Sequence, residues 1–256
     1  MRDLVKGVIG WRLWLGLAAH DIRIRYQRTL LGTWWITASM AATVMCLGLL
    51  FSAVLKTDIH VYLPYLAVGM VTWHLINAVV LEAPQAFIDS QHIITSLRMP
   101  LAVHAMRCVM RNTLIFAHNL VAAVAACLIL GVAPTAAIWL LPATLAILLV
   151  GLSGLAIILA VIGTRFRDVG PILGILLQLT FFMTPILWRP ADLPQAGKWW
   201  VSINPVYHLI EVVRGPLLGV APAASSLAIS SATALLLVSA AALLYRRTQH
   251  HIPYWL

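Results

Sequence analysis

The chain has 256 residues, of which 62% are hydrophobic and only 10% are charged, and its formal net charge is +9. An ordinary soluble domain is about 25% charged, so this composition excludes a soluble globular protein. It predicts one membrane domain over residues 1–256, without a large soluble domain. A basic chain is also typical of nucleic-acid binding, but the distribution of the charge, described below, favours membrane topology.

The first predicted element is an amphipathic helix over residues 11–29, which carry too many charges to cross a membrane. Apolar and aromatic residues recur there at helical spacing: Trp11, Trp14, Leu15, Ala18, Ile22 and Tyr26. This pattern predicts a helix in the cytoplasmic interface, with its aromatic rings at the level of the lipid headgroups. The alternative is a plain basic anchor in front of the first membrane span.

Six long apolar stretches follow, each close to the ~20 residues that a helix needs to cross ~30 Å of hydrocarbon. They cover residues 34–55, 62–81, 112–130, 138–162, 170–188 and 225–244. The stretches are continuous and not alternating, which indicates helices and not the strands of a barrel. The predicted fold class is therefore an all-α polytopic membrane protein with six transmembrane helices.

The basic residues fall almost entirely on one side of these spans. Thirteen of the 17 Lys and Arg residues share that side: Arg2, Lys6, Arg12, Arg23, Arg25, Arg28, Arg98, Arg107, Arg111, Arg165, Arg167, Arg246 and Arg247. Only Lys56, Arg189, Lys198 and Arg214 lie on the other side. Because cytoplasmic loops carry an excess of Lys and Arg, this asymmetry predicts that both termini are cytoplasmic.

The link between the second and third spans is long, and its residues 86–97 have the composition of a short helix of mixed polarity. Pro100 limits the continuation of that helix. Such a segment is typical of a surface that docks on a partner, and it is equally compatible with a simple connector.

The link between the fifth and sixth spans contains five prolines and many apolar residues, which would not lie freely in water. Residues 199–203 and 206–213 predict two short re-entrant helices that dip into the outer leaflet and are broken at Asn204-Pro205. Glu211 and Arg214 are three residues apart and predict an ion pair on one helix face. That pair is compatible with a functional role and with a purely structural one.

The sequence contains no phosphate-binding GxxxxGK[ST], no HExxH and no nucleophile elbow. We therefore predict no catalytic residue, no metal site and no cofactor in this chain. His74, Asn77 and His118 are the few polar candidates for a proton relay within the spans, and they make a weak one. Gly151 and Gly154 predict close packing of two helices. Substrate movement would then need an energy source on a partner.

Several short motifs along the chain resemble the membrane subunit of bacterial ABC transporters that export polysaccharides, namely the O-antigen, capsule and teichoic-acid permeases. The likeness covers nearly the whole chain. The motifs are Asp21 to Trp35, in which His20-Asp21 replaces the family's Arg-Asp, then Phe166-Arg167-Asp168, Thr184-Pro185-Ile186, Asn204-Pro205 with Arg214 to Gly219, and Ile252 to Trp255.

The resemblance implies a homodimer in the bacterial inner membrane, with two cytoplasmic ABC ATPase subunits that bind ATP and Mg. It implies a coupling region over residues 86–100, with Phe87, Ile88, Ile93, Ile94, Leu97, Arg98 and Pro100 receiving the ATPase stroke. It also implies an outer gate over residues 198–214, with Trp199, Trp200, Asn204, Pro205, Tyr207, Glu211 and Arg214. The substrate of such a transporter is a lipid-linked glycan, usually on undecaprenyl diphosphate.

Aromatic rings stack on the apolar faces of sugars, so the glycan path is expected along Trp34, Trp35, Phe181, Phe182 and Trp188. A Trp near the end of a span is also a common interface anchor. Arginine forks bind phosphate through two hydrogen bonds, so Arg23, Arg25 and Arg28 are expected to hold the lipid diphosphate. The same residues are compatible with anchoring to anionic lipid.

Three alternatives remain open from the sequence. The nearest is a permease of the same architecture that exports a drug or a small lipid. A membrane-embedded acyl- or glycosyltransferase would need clustered His, Asp or Glu at one membrane face, which the sequence does not indicate. A non-transporting interaction scaffold would have no effect on the ATPase activity of its partner.

Overall fold

The computed structural model describes residues 2–27, 32, 34–97, 99–192, 194 and 198–256, and every regular element in these ranges is helical. The α-helices are α1 (Arg2–Ile9), α2 (Trp11–Tyr26), α3 (Trp34–Val54), α4 (Ile59–Glu82), α5 (Gln91–Ser96), α6 (Ala102–Ile129), α7 (Leu141–Arg165), α8 (Val169–Met183), α9 (Lys198–Ile203), α10 (Pro205–Leu217), α11 (Ala224–Thr248) and α12 (Ile252–Trp255). Short 3-10 turns cover Ala83–Gln85, Ala136–Leu140 and Pro190–Asp192. The all-helical prediction is confirmed for the described residues.

Five helices of the described chain are long and apolar enough to cross a membrane, and they coincide with five of the six predicted spans. The third predicted span, however, begins ten residues too late, because α6 starts at Ala102 and not at residue 112. The early turns of α6 carry Arg107 and Arg111, which sequence reasoning assigned to a loop. Both arginines are paired with acids, so they are accommodated in the helix.

The fifth predicted span is shorter than expected. Its helix α8 covers Val169–Met183, 15 residues, and ends five residues before the predicted boundary at Trp188. At 1.5 Å per residue this is about 22 Å, less than the ~30 Å of a hydrocarbon core. The helix ends there because Pro185 disfavours helical geometry at Thr184, whose backbone is extended. The six-span count is therefore not confirmed.

Helix α4 is the centre of the bundle, since α3, α6, α7, α8 and α10 all pack against it. Helix α11 packs along α7 instead, at the small residues that the sequence singled out. A β-carbon on Gly154 would lie 2.8 Å from backbone atoms of Leu237 and Val238, and Gly151 faces Ala234. The predicted close helix packing at Gly151 and Gly154 is confirmed, because only glycine allows this approach.

One end of the bundle, which we call the basic end, joins the carboxyl ends of α4, α7 and α11 to the start of α6. Both chain termini lie there. The Tyr245 hydroxyl of α11 donates to Asp3 of α1 at 2.7 Å, and the Arg165 guanidinium of α7 lies 5.1 Å from the Trp255 ring of α12. The described basic side chains at this end include Arg23, Arg25, Arg107, Arg111, Arg165, Arg167, Arg246 and Arg247.

The predicted amphipathic helix begins at residue 11 as expected and ends at Tyr26, three residues before its predicted end. The apolar and aromatic stripe of this helix is buried in one part and exposed in another. Ala18 and Ile22 are buried, and α2 packs on α6, whereas Trp11 is exposed. The helix is therefore fastened to the bundle along one part of the stripe, with Trp11 exposed at its start.

The opposite end of the bundle holds the predicted re-entrant segment, and the break at Asn204-Pro205 is confirmed. Helix α9 stops at Ile203 and α10 starts at Pro205, one residue before the predicted start of the second helix. The Asn204 carboxamide caps α10, because its oxygen accepts from the backbone N–H groups of Val206 and Tyr207 at 2.9 and 3.3 Å. Its nitrogen donates to the Thr184 hydroxyl at 3.0 Å and so ties α10 to the end of α8.

Candidate translocation groove

An open groove runs along the bundle between α3, α4, α6 and α8, and it begins at the basic end. It consists of two adjoining pockets of about 1130 and 790 Å³, which share Met40, Met70, His74 and Asn77 as lining residues. The larger pocket reaches Arg25 and Glu82 at the basic end. The smaller one reaches Phe181 and Phe182 on α8. The two pockets together form a path from the basic end towards the opposite end.

Polar side chains line this groove although most of the surrounding helix surface is apolar. They are Ser39 and Thr43 of α3, His74 and Asn77 of α4, Asn112 and Asn119 of α6, and Gln178 of α8. Asn119 is only 1% exposed, and its carboxamide oxygen has no partner among the described residues. This oxygen is therefore an unused hydrogen-bond acceptor in the wall of the groove.

Three of the five predicted path aromatics lie on the groove. Trp35 lines its larger pocket, and Phe181 and Phe182 line the smaller one. Phe181 packs between two other rings, with its centroid 5.6 Å from Trp73 and 5.4 Å from Phe182. Aromatic rings next to amide side chains suit a ligand that has both apolar and hydroxyl surfaces.

The other two path aromatics lie elsewhere. Trp34 is 61% exposed and lines neither pocket of the groove. Trp188 stacks on Trp200 at the opposite end, with centroids 6.3 Å apart and an interplanar angle of 17°. Trp188 therefore lies beside the predicted gate residues. Sequence spacing alone did not indicate this placement.

A charged network lies at the basic end of the groove. Asp21 of α2 accepts from Arg107 Nε at 2.7 Å, also pairs with Arg107 Nη2, and accepts from Arg111 Nη1 at 3.0 Å. Burial alone raises the pKa of the Asp21 carboxyl, but the hydrogen bonds and charges of Arg107 and Arg111 outweigh it and hold this pKa below its usual value. Asp21 therefore stays ionised and fastens α2 to α6.

Glu82, the last residue of α4, forms the second half of this network. Its Oε2 accepts from Arg111 Nη2 at 2.7 Å and from Asn112 Nδ2 at 2.6 Å. Its Oε1 lies 3.9 Å from Arg25 Nη2. One carboxylate thus meets two arginines and an amide where the groove begins.

Of the two predicted diphosphate residues that the structure describes, Arg25 lines the groove. Arg23 is exposed and lines neither pocket, and Arg28 lies outside the described residues. Sequence reasoning missed Asp21, Glu82, Arg107 and Arg111 as a cluster. The available signal was the scarcity of acids, only 8 in the chain, which makes each acid beside a span a candidate partner for an arginine.

The predicted coupling region is only partly helical, since residues 86–90 form turns and α5 covers Gln91–Ser96. Phe87 is fully buried in the core, so its side chain anchors the segment and does not face outwards. Ile88, Ile93, Ile94 and Pro100 are half-buried, Leu97 is 56% exposed, and Arg98 lies outside the described residues. The outward apolar surface of this segment is centred on Leu97.

Four predicted gate residues line an open pocket of about 940 Å³ beside the end of α8: Trp199, Trp200, Asn204 and Pro205. Tyr207 is half-buried. The predicted pair of Glu211 and Arg214 is confirmed, with 3.2 Å between Oε2 and Nη1.

Arg214 is completely buried, and its Nη2 donates to the Pro185 carbonyl at 3.0 Å. Its guanidinium carbon lies 3.8 Å from the Tyr65 ring centroid. A β-carbon on Gly69 would collide with the same guanidinium, so α4 makes room for it with a glycine. Arg214 therefore joins α10, α4 and the segment after α8, which favours the structural reading of the ion pair.

Comparison with known proteins decides the family. The model of the family described as ABC-2 type transporter matches residues 12–218. The chain belongs to the ABC-2 type transporter family. An ABC-2 chain of this kind is the membrane subunit of a transporter that works with an ABC ATPase. This ABC-2 chain is therefore a multi-pass membrane permease and not an enzyme, and the resemblance that its motifs indicate is confirmed.

Named relatives of the ABC-2 chain share one description. The ABC-2 chain is 28% identical over 217 residues, 82% of each chain, to the O-antigen export system permease protein RfbA of Myxococcus xanthus. It is 25% and 24% identical, over 191 residues and 74% of each chain, to two proteins of the same name from Klebsiella pneumoniae.

Proposed function

We propose that this ABC-2 permease exports a lipid-linked polysaccharide, an O-antigen-like glycan on undecaprenyl diphosphate, across the bacterial inner membrane. The observation that carries the proposal is the groove, which combines the aromatic rings of Trp35, Phe181 and Phe182 with carboxamides of Asn77 and Gln178. Sugar rings present apolar C–H faces and hydroxyl edges, and this lining matches both. The names of the relatives support the same substrate class.

Two copies of the chain form the transport path in this proposal. Helix α8 has only one buried residue, Leu177, and much of its remaining surface is apolar. The groove opens beside this helix and is walled by a single copy only in part. A second copy placed against α3 and α8 covers this apolar surface and closes the groove into a channel.

The ATPase subunits dock at the basic end, where the segment around Leu97 offers an exposed apolar side chain. ATP and Mg bind to those partners, which supply the energy. The buried Phe87 anchors this segment in the core, so a push on α5 is transmitted to the bundle that lines the groove. The residues of the coupling region retain this role as part of the proposal.

The basic end faces the cytoplasm in this proposal, and both termini lie there. The described arginines concentrate at that end, whereas the opposite end carries Lys56, Arg189 and the buried Arg214. This asymmetry has the sign that the inner membrane imposes. The opposite end, with Trp199 and Trp200 beside the end of α8, then forms the outer gate.

The test is glycan export in cells that lack the chain and are complemented with wild type, Leu97→Asp or Val220→Asp. Val220 is 63% exposed at the opposite end and serves as the matched control for Leu97, which is 56% exposed. We expect surface glycan with wild type and Val220→Asp, and cytoplasmic accumulation of lipid-linked glycan with Leu97→Asp. Unchanged surface glycan after deletion of the chain would exclude polysaccharide export and favour a drug or small-lipid permease.

A further inference from the structure

The Glu82 carboxylate occupies a position with the chemistry of a phosphate site. Two hydrogen bonds hold its Oε2, from Arg111 at 2.7 Å and from Asn112 at 2.6 Å. Arg25 approaches its other oxygen at 3.9 Å. Arginine forks together with an amide donor bind phosphate oxygens in the same way as carboxylate oxygens.

This site opens into the groove. Arg25, Glu82 and Asn112 all line the larger pocket, and the side chains of Arg25 and Glu82 are 49% and 29% exposed. A phosphate group that enters the groove from the basic end therefore meets Arg25 and Glu82 first, and Asn112 and Arg111 lie behind the Glu82 carboxylate. The buried Arg214 of the opposite end, at 0% exposure, offers no comparable access.

Glu82 is also held less firmly than its number of partners implies. It is the last residue of α4, where the negative end of the helix dipole disfavours a carboxylate. Arg111 stays paired with Asp21 at 3.0 Å if Glu82 leaves, so no buried guanidinium is abandoned. A diphosphate carries more negative charge and more acceptor oxygens than a carboxylate, and it competes well for the same donors.

We propose that Arg25, Arg111 and Asn112 form the binding site for the diphosphate of the lipid-linked substrate, and that the Glu82 carboxylate fills this site until the substrate displaces it. The inference rests on the proposed function and adds a regulatory step to it. Glu82 is followed directly by the turn Ala83–Gln85 and the coupling region, so its release frees the end of α4, next to the segment that meets the ATPase, from Arg111 of α6. Arrival of substrate is thereby communicated to the ATPase.

The charge of Glu82 gives the diphosphate different affinities for the state with Glu82 in place and the state with Glu82 released. A ligand shifts an equilibrium only through different affinities for the two states. With Glu82 in place, its carboxylate occupies the donors and repels a second anion. With Glu82 released, Arg25 and Arg111 present two positive charges. The diphosphate therefore binds the released state more tightly.

The experiment measures ATP hydrolysis by the purified permease–ATPase complex in nanodiscs, titrated with undecaprenyl diphosphate. Arg25→Ala is expected to raise the half-stimulating concentration about tenfold, since it removes a charged donor. Glu82→Gln removes the competing charge but keeps the shape, so it is expected to lower that concentration several-fold and to raise hydrolysis without lipid. Glu82→Ala, which also removes the charge and is expected to shift that concentration in the same direction, serves if the Gln variant does not fold. Arg12→Ala, an exposed arginine on the same helix α2, is the control and is expected to stay within about twofold.

The inference is overturned if Arg25→Ala behaves like Arg12→Ala, or if Glu82→Gln weakens the response to undecaprenyl diphosphate. Parallel titrations with phosphatidylglycerol and with free pyrophosphate identify the source of the phosphate. A response to either of them at the same concentration contradicts the assignment to the lipid-linked diphosphate. A wild-type response that ignores Arg25 and Glu82 removes this inference alone, whereas a wild type that neither responds nor exports glycan removes the proposed function.

Discussion

The two ends of the bundle both use arginine–acid pairs, but they use them in opposite environments. At the opposite end, Arg214 is fully buried between α10, α4 and the Pro185 carbonyl. At the basic end, Arg25 and Glu82 face an open groove and are 49% and 29% exposed. A fully buried charge is fixed because nothing replaces its partner, whereas an accessible pair can exchange its partner for a ligand. Burial thus separates the structural arginine from those that we assign to substrate.

The largest expected effect comes from breaking the buried pair. Arg214→Ala leaves Glu211 and the Pro185 carbonyl without their partner and should cost about 3–5 kcal/mol of stability, measured as thermal unfolding of the purified protein. Arg25→Ala, at the accessible end, should cost no more than about 1 kcal/mol. Similar losses at both sites would remove the distinction between the two ends.

Helix packing gives the next largest effect. Gly154→Val places side-chain atoms where α7 and α11 are in backbone contact, and we expect a destabilisation of about 1–3 kcal/mol. The matched control is Gly170→Val in α8, because a β-carbon there meets nothing within 4 Å. Unfolding temperatures of the two variants give the comparison. Equal stability of both would show that α7 and α11 separate easily.

The ion pairs of Asp21 with Arg107 and Arg111 predict that the stability of the protein depends on pH. Asp21 has a lowered pKa in the folded protein, so its contribution is present above the unfolded pKa and is lost as the pH falls through the lower folded value. Asp21→Asn should therefore cost on the order of 1 kcal/mol at neutral pH. The gap between wild type and Asp21→Asn should stay constant down to about pH 5 and close only below about pH 4. A gap that closes near pH 6–7 in unfolding scans would assign the effect to another group.

The smallest expected effect concerns the path itself. Trp35 lines the groove and the adjacent Trp34 does not, although both are more than half exposed. Loss of one stacking ring is worth about 1 kcal/mol, so Trp35→Ala should slow glycan export about fivefold, and more than Trp34→Ala. Export rates in complemented cells make the comparison. A stronger effect at Trp34 would place the path on the other side of α3.

Local signals predicted local features well. The break at Asn204-Pro205 followed from a capping residue and a proline, and the contact at Gly154 followed from small residues on adjacent turns. These features depend on a few neighbouring residues, so the sequence contains all that determines them. The early end of α8 was also encoded locally, in Thr184-Pro185, but continued hydrophobicity up to Trp188 concealed it.

Features that depend on packing were not predictable. Phe87 looks like a docking residue in the sequence and is buried, because the turns after α4 fold back on the core. The network of Asp21, Glu82 and Arg111 joins three helices that are distant in sequence. No periodicity indicates which arginine meets which acid, since that depends on how α2 and α4 are placed against α6.

We propose that this permease and its ATPase move a lipid-linked glycan. The most direct measurement reconstitutes the permease–ATPase complex in proteoliposomes and follows the ATP-dependent transfer of undecaprenyl diphosphate-linked glycan between leaflets. We predict transfer that requires ATP and is lost with Leu97→Asp. ATP hydrolysis that moves a small lipid or a drug while the glycan stays in place would contradict the claim.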